Sequence, residues 1–189
     1  MHAVLQQVFA TYRVELSARP VDWCQLHPLQ DERLWSAQEL MEHLVLTCRS
    51  SSRVLQKRLD RGEATAEHST PVQWLLQMVM LSFGRMPRGA PAPIFARPGQ
   101  LHWQPMSGAQ LLEALQLELD QMDTLLDRCR HRFGLQRVTS HFFLGPLRPD
   151  QWRRFHVIHL RHHLGQLRRI ESALSEPVTA ERPTHSGWR

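Results

Sequence analysis

The chain has 189 residues and a mass of 22.1 kDa, enough to bury a hydrophobic core without help from disulfides. With 42% hydrophobic and 22% charged residues it fits neither a disordered nor a fibrous class, and no apolar run approaches the roughly 20 residues of a membrane span. The formal charge of +5 and pI near 10.0 come from basic residues, only one of them a lysine (Lys57), spread among 18 acidic ones; with no dense basic block, nucleic acid is not the expected partner.

The first segment, about His2 to Ala18, reads as a helix with Val4, Leu5, Val8, Phe9, Tyr12 and Leu16 on one face, stopped by Pro20. It lacks the basic start, apolar middle and small-residue cleavage site of a signal peptide, so a cytoplasmic protein is expected. A connection through Leu26, His27 and Pro28 leads to Ser36-Ala-Gln-Glu39, a capping box that opens a helix from about Ala37 to Arg61. Its residues Leu40, Met41, Leu44, Val45, Cys48, Leu55 and Leu59 recur at three- and four-residue steps, and Gly62 ends it.

A short apolar helix is expected from Val72 to about Phe83, entered through Thr70-Pro71. Its Trp74, Leu75, Met78 and Met80 read as cover for the core, with an interaction surface as the alternative. A proline-rich stretch up to Pro105 follows, expected to be irregular and to lie across the mouth or side of the helices. A second capping box, Ser107-Gly-Ala-Gln110, begins a helix carrying Leu111, Leu112, Leu115, Leu119, Met122, Leu125 and Leu126 and ending near Phe133-Gly134. After a turn through Phe142 to Pro146, the last helix runs from about Pro149 to Leu174. No stretch alternates as a half-buried strand would, and no internal repeat is present. The expected fold is all-α: a four-helix bundle with a long proline-rich connection carrying a short extra helix, as one domain over residues 1–176 with a flexible polar tail at 177–189.

Three cysteines, Cys24, Cys48 and Cys129, are too scattered for a disulfide framework or a zinc motif and read as free thiols. Twelve histidines are the unusual feature. On the last helix His156, His159 and His163 fall within the apolar arc of Trp152, Phe155, Leu160, Leu164 and Leu167. Burying an imidazole without a partner costs on the order of 1 to 3 kcal/mol, so three on a core face call for a common explanation. His159 and His163, four residues apart, can reach one ion, and a third ligand must come from another helix; His43, beside Leu40 and Leu44, is the candidate. Gln166 lies one turn beyond His163 on the same side. His162 reads as a rim residue, and His27, His68, His102, His131, His141 and His185 as ordinary solvated histidines.

Three segments, W-S-x-x-E-x-x-x-H-L (Trp35 to Leu44), H-F-F-L-G-P-L-x-x-x-Q-W (His141 to Trp152) and H-x-x-H-H-x-x-Q-L (His159 to Leu167), resemble the DinB-like metal-binding four-helix superfamily, in a bacterial branch of unassigned function. The resemblance spans about Trp35 to Leu174. It implies that His43, His159 and His163 are metal ligands, the same trio that periodicity suggests. Two features depart from the pattern: Arg148 precedes Pro149 where a serine or threonine would cap better, and the connection from Gly62 to Met106 is long and individual.

Three imidazoles would leave a divalent ion with open positions; zinc, nickel, iron, cobalt and manganese are not distinguished by such a ligand set. Members of the superfamily include thiol-dependent S-transferases and isomerases, so the resemblance implies activation of a low-molecular-weight thiol for transfer or conjugation onto a small-molecule substrate. His156 and Gln166 are then candidates for supporting the ligands or contacting the thiol cofactor or substrate. Two alternatives stay open: a metal-dependent hydrolase, with Glu39 as the carboxylate near His43 if the capping box does not occupy it, and a noncatalytic helical module for binding a partner or forming a homodimer.

Overall fold

The computed structural model describes residues 1–86 and 91–175; the expected polar tail, with His185, and residues 87–90 of the proline-rich connection lie outside the described residues. The chain is predominantly helical. Four long helices, α1 (Ala3–Leu16), α3 (Ala37–Arg61), α5 (Gly108–Phe133) and α6 (Pro149–Ser175), are joined by short elements: α2 (Val21–Gln25) between the first two, and α4 (Pro71–Gln77) within the long connection. α3 packs along α5, and α6 lies against α1, α3 and α5. Their inward faces form one continuous core in which Tyr12, Leu40, Met41, Leu44, Leu111, Leu115, Leu119 and Met122 are fully buried.

The ends of these helices follow from local chemistry. The Ser36–Glu39 and Ser107–Gln110 capping boxes both form, and Gly62 ends α3 in the left-handed conformation at φ 76°. Thr70 and Gln73 form a third box at α4 that the Thr-Pro start concealed. Two other elements depart from expectation. α2 was too short to show a period, and a small antiparallel hairpin, β1 (Thr139–His141) and β2 (Gly145–Leu147), stands where a simple turn is expected. Each strand has three residues, too few for alternation to be visible.

The expected Val72–Phe83 helix is split. After α4 the chain continues as a π turn over Met78–Ser82, whose loosened carbonyls at Leu81 and Ser82 accept hydrogen bonds from the Arg154 guanidinium. The extra residue in this turn aims Met80 and Leu81 into the protein, while Trp74 (57% exposed), Leu75 and Met78 face out. Of the four residues expected to cover the core, only Met80 does so. On α1, Val4 likewise lies outside the buried stripe. The proline-rich connection is not wholly irregular, since Ile94–Ala96 forms a 3₁₀ turn. All three cysteines are free and buried, and among the described residues no helix is long and apolar enough to cross a membrane.

Gly108 joins the start of α5 to the end of α1. Its N–H donates to the Arg19 carbonyl at 2.9 Å, and a Cβ at this position would stand 1.9 Å from the Leu16 carbonyl oxygen. Because that obstacle is backbone, the helices would have to separate. Gly108→Ala is therefore expected to lower stability by about 1–3 kcal/mol, read as a reduced urea midpoint with unchanged slope.

Candidate metal centre

α6 presents His159 and His163 on successive turns of its core face, and α3 brings His43 opposite them. The Nε2 atoms of His43 and His159 lie 3.2 Å apart, and those of His163 and His159 3.0 Å. A tetrahedral ion with bonds of 2.0–2.1 Å would hold pairs of nitrogens about 3.3 Å apart, so this spacing suits a single ion.

The outer ring nitrogens determine which way the lone pairs face. His43 Nδ1–H donates to the Ala96 carbonyl at 2.6 Å, and His163 Nδ1–H donates to Gln166 Oε1. With protons committed to Nδ1, both Nε2 lone pairs point inward, the tautomer that a metal ligand requires. All three imidazoles are buried. Burial pulls the His43 imidazole below its ordinary range, and pulls His159 and His163 further, with neighbouring histidines adding to the effect. The group is thus held neutral, and it could hold a metal ion without first releasing protons. His159 stacks on Phe155 at 5.4 Å between centroids, and Trp35 lies 5.1 Å from His43, fixing the rings from two sides.

The trio opens on a cavity of about 710 Å³. Leu40, Met80, Phe155 and Ile170 supply apolar wall, Phe95, Phe142 and Phe143 stand at its outer part, and Arg33, Glu39, Arg97 and His162 add polar groups. The proline-rich segment thus forms one wall of the site rather than a remote connection, and the His43–Ala96 hydrogen bond is part of its attachment.

Two residues that the sequence reading passed over complete that attachment. Glu42, 4% exposed, accepts backbone N–H donors from Gly99 at 2.9 Å and Leu101 at 2.7 Å. One turn earlier, Gln38 Oε1 accepts from the Met106 N–H at 2.8 Å. Periodicity gave no signal for them: on α3, Gln38 and Glu42 share a face with Arg49, Arg53 and Gln56, beside the apolar arc of Leu40, Met41, Leu44 and Val45 rather than within it. Glu42→Leu leaves two amides without their carboxylate and frees the loop from His43. We expect about 3 kcal/mol of lost stability by urea unfolding, with the 94–101 backbone losing protection first in hydrogen exchange.

The other expected residues differ in their surroundings. Gln166 lines the cavity and orients His163. His156 does not line it: 1% exposed, its Nε2–H donates to Ser51 Oγ at 3.0 Å, so it is a satisfied core histidine rather than a contact for a bound molecule. Glu39 forms the capping box, its Oε2 accepting from the Ser36 N–H at 2.8 Å, and also borders the cavity. His162 sits at the wall beside His163, as a rim residue should. His27 is partly buried, with Nδ1 2.7 Å from the Leu34 carbonyl. His141 is not a solvated histidine either. It lines the cavity between Phe143 and Phe155, and burial takes its pKa down to about 4.

Residues 19–170 match the model of a family described as a protein of unknown function, DUF1569. The chain belongs to this family. No curated protein and no solved structure matches it. The matched span contains all three histidines, both strands and the connection that carries Ala96, and it excludes only α1 among the long helices. The cavity and its clamp therefore lie within the part of the chain that defines the family.

Proposed function

We propose that this is a DinB-like four-helix bundle, a single domain over residues 1–176, that binds one divalent ion through His43, His159 and His163 and activates a low-molecular-weight thiol for transfer or conjugation onto a small molecule. The observation that carries this reading is the convergence of three buried, neutral imidazole Nε2 atoms on the wall of a cavity large enough for two small reactants. A closed structural site would leave no such space. A divalent ion at this position would lower the pKa of a thiol or water coordinated to it.

The chain's own groups define the rest. Ala96 and Gln166 keep His43 and His163 in the ligating tautomer. Phe155 and Trp35 hold the rings in place, and the apolar walls exclude water from the sulfur and its acceptor. In a transfer, sulfur bonds to the acceptor carbon while the leaving group departs with its electron pair, and the thiol proton passes to solvent or buffer. Hydrolysis is the second reading, favoured by one observation: Glu39 borders the cavity. The capping box occupies one of its oxygens, which weakens it as a base.

The test is a panel of small thiols against electrophilic acceptors, with thiol consumption followed for ion-loaded and chelator-treated protein. Turnover that requires the ion supports thiol activation. Ester or amide cleavage instead, lost in Glu39→Gln, would favour hydrolysis. No turnover above the chelated protein in either assay would favour the noncatalytic module, and light scattering would then show whether it forms a homodimer.

A further inference from the structure

His141 has a geometry that the metal centre does not use. It ends β1, and the three-residue turn after it folds back so that the backbone N–H groups of Phe143 and Leu144 both donate to His141 Nδ1, at 3.2 and 3.3 Å. A nitrogen accepting two amide protons carries none of its own. The proton of the neutral ring is therefore on Nε2, and the turn fixes both the tautomer and the ring orientation. The ring's faces and edges are occupied by Phe155 at 4.2 Å and Trp152 at 5.3 Å between centroids. Nε2–H has no hydrogen-bond partner among the described residues, although the residue lines the cavity. A fixed donor in an apolar wall is the kind of group that orients a ligand.

Aromatic side chains surround the donor and connect it to the histidine trio. The Phe155 ring is in contact with both His141 and His159, 4.2 Å from one and 5.4 Å from the other between centroids. The donor and the histidine trio thus share one aromatic neighbour and line one cavity. Phe95, Phe142 and Phe143 form edge-to-face pairs at 5.8 and 4.7 Å on the outer side, the packing that aromatic faces and edges favour, and Phe142 remains 66% exposed.

We propose that His141 is the substrate-recognition donor of this cavity, its Nε2–H binding the carbonyl oxygen of a compact aromatic compound packed against Phe155, Phe142 and Phe143. The assignment rests on the reading of the cavity as a substrate site, and it names the substrate class. A neutral donor of this kind discriminates by the presence of an acceptor rather than by charge: a ligand lacking the oxygen leaves the N–H unpaired in an apolar wall.

The test uses two nearly isosteric probes, acetophenone and α-methylstyrene, which differ in a C=O against a C=CH₂ group. Binding is measured by ligand-detected NMR on full-length protein, both chelator-treated and zinc-loaded. We expect acetophenone to bind about fivefold more tightly than α-methylstyrene, the factor that one hydrogen bond supplies, and His141→Phe to abolish the difference while retaining α-methylstyrene binding. In wild type the imidazole ¹⁵N spectrum should show His141 protonated at Nε2, with that signal moving on addition of acetophenone only; this readout does not depend on the variant folding. Equal affinities, binding of neither probe, or discrimination that survives in His141→Phe would each overturn the assignment. The chelated arm reports on His141 alone, so a failure of the metal reading appears separately, as an absence of zinc uptake.

Discussion

Replacing His159 with alanine is expected to remove the bound ion altogether: elemental mass spectrometry on tag-free protein, after equal exposure to a mixture of divalent ions, should find about one ion per wild-type chain and almost none per variant chain. His159 is the centre of the trio, its Nε2 lying within 3.2 Å of His43 and 3.0 Å of His163. Without it, two ligands remain, one on α3 and one on α6. A three-histidine site reduced to two loses most of its affinity, and water must fill the gap in a buried setting. His163→Ala should behave alike.

Gln166→Leu provides the graded control. The ligands all stay, but His163 Nδ1 loses the acceptor that holds its proton on the outer side. Loss of such a partner costs about 10- to 100-fold in metal affinity, so this variant should keep the ion at high concentration and release it to a competing chelator sooner than wild type. Full occupancy in His159→Ala would mean that the trio is not the site. Identical chelator competition in Gln166→Leu would mean that Gln166 does not set the tautomer.

His156, His159 and His163 stood out in the sequence because polar residues on the apolar arc of one helix conflict with its periodicity; the structure resolves that conflict in two ways, pairing His156 with Ser51 and bringing His159 and His163 together with His43. Helix ends were legible where a side chain caps them: Ser36 with Glu39, Ser107 with Gln110, and Gly62 at the close of α3 match the observed bounds. What lay beyond reach depends on long-range contact. Nothing local to Ala96 indicates that its carbonyl receives the His43 proton, since the two are 53 residues apart in the chain. His141 looked solvated because it precedes two phenylalanines and a glycine in a loop-like stretch, and its burial arises only when the hairpin folds onto Trp152 and Phe155. The π turn at Met78–Ser82 is likewise a tertiary outcome, its free carbonyls taken by Arg154 from α6. Trp74 and Leu75, expected as cover for the core, face out from α4 instead.

Mild acid is expected to unfold the metal-free protein, and the ion to delay this. His156 shows the reason most directly. It is 1% exposed, with Nε2–H donating to Ser51 Oγ, whose own hydroxyl donates to the Thr47 carbonyl at 3.0 Å. Burial first, and then the neighbouring His141, take its pKa from the ordinary 6.5 to about 3. Between those values the unfolded chain binds a proton that the folded chain refuses. The stability associated with His156 is therefore complete above about pH 6.5 and declines as the pH falls toward about 3, by on the order of 5 kcal/mol in all.

His141, His43, His159 and His163 are lowered as well, so each adds a loss of the same sign over the same direction of pH. Their sum is steep compared with the stability of a typical domain. Urea unfolding followed by circular dichroism, on chelated protein from about pH 7 to about pH 5 and so above the range where most carboxylates protonate, should show a falling midpoint. Zinc-loaded protein should hold its midpoint to lower pH, because an ion on the three Nε2 atoms must leave before protons can take them. His156 hydrogen-bonds to Ser51 rather than to the trio, so His156→Gln should flatten the acid limb of both the chelated and the loaded protein. A midpoint unchanged down to about pH 5 in chelated wild type would contradict the neutral, buried state of these histidines on which the metal centre depends.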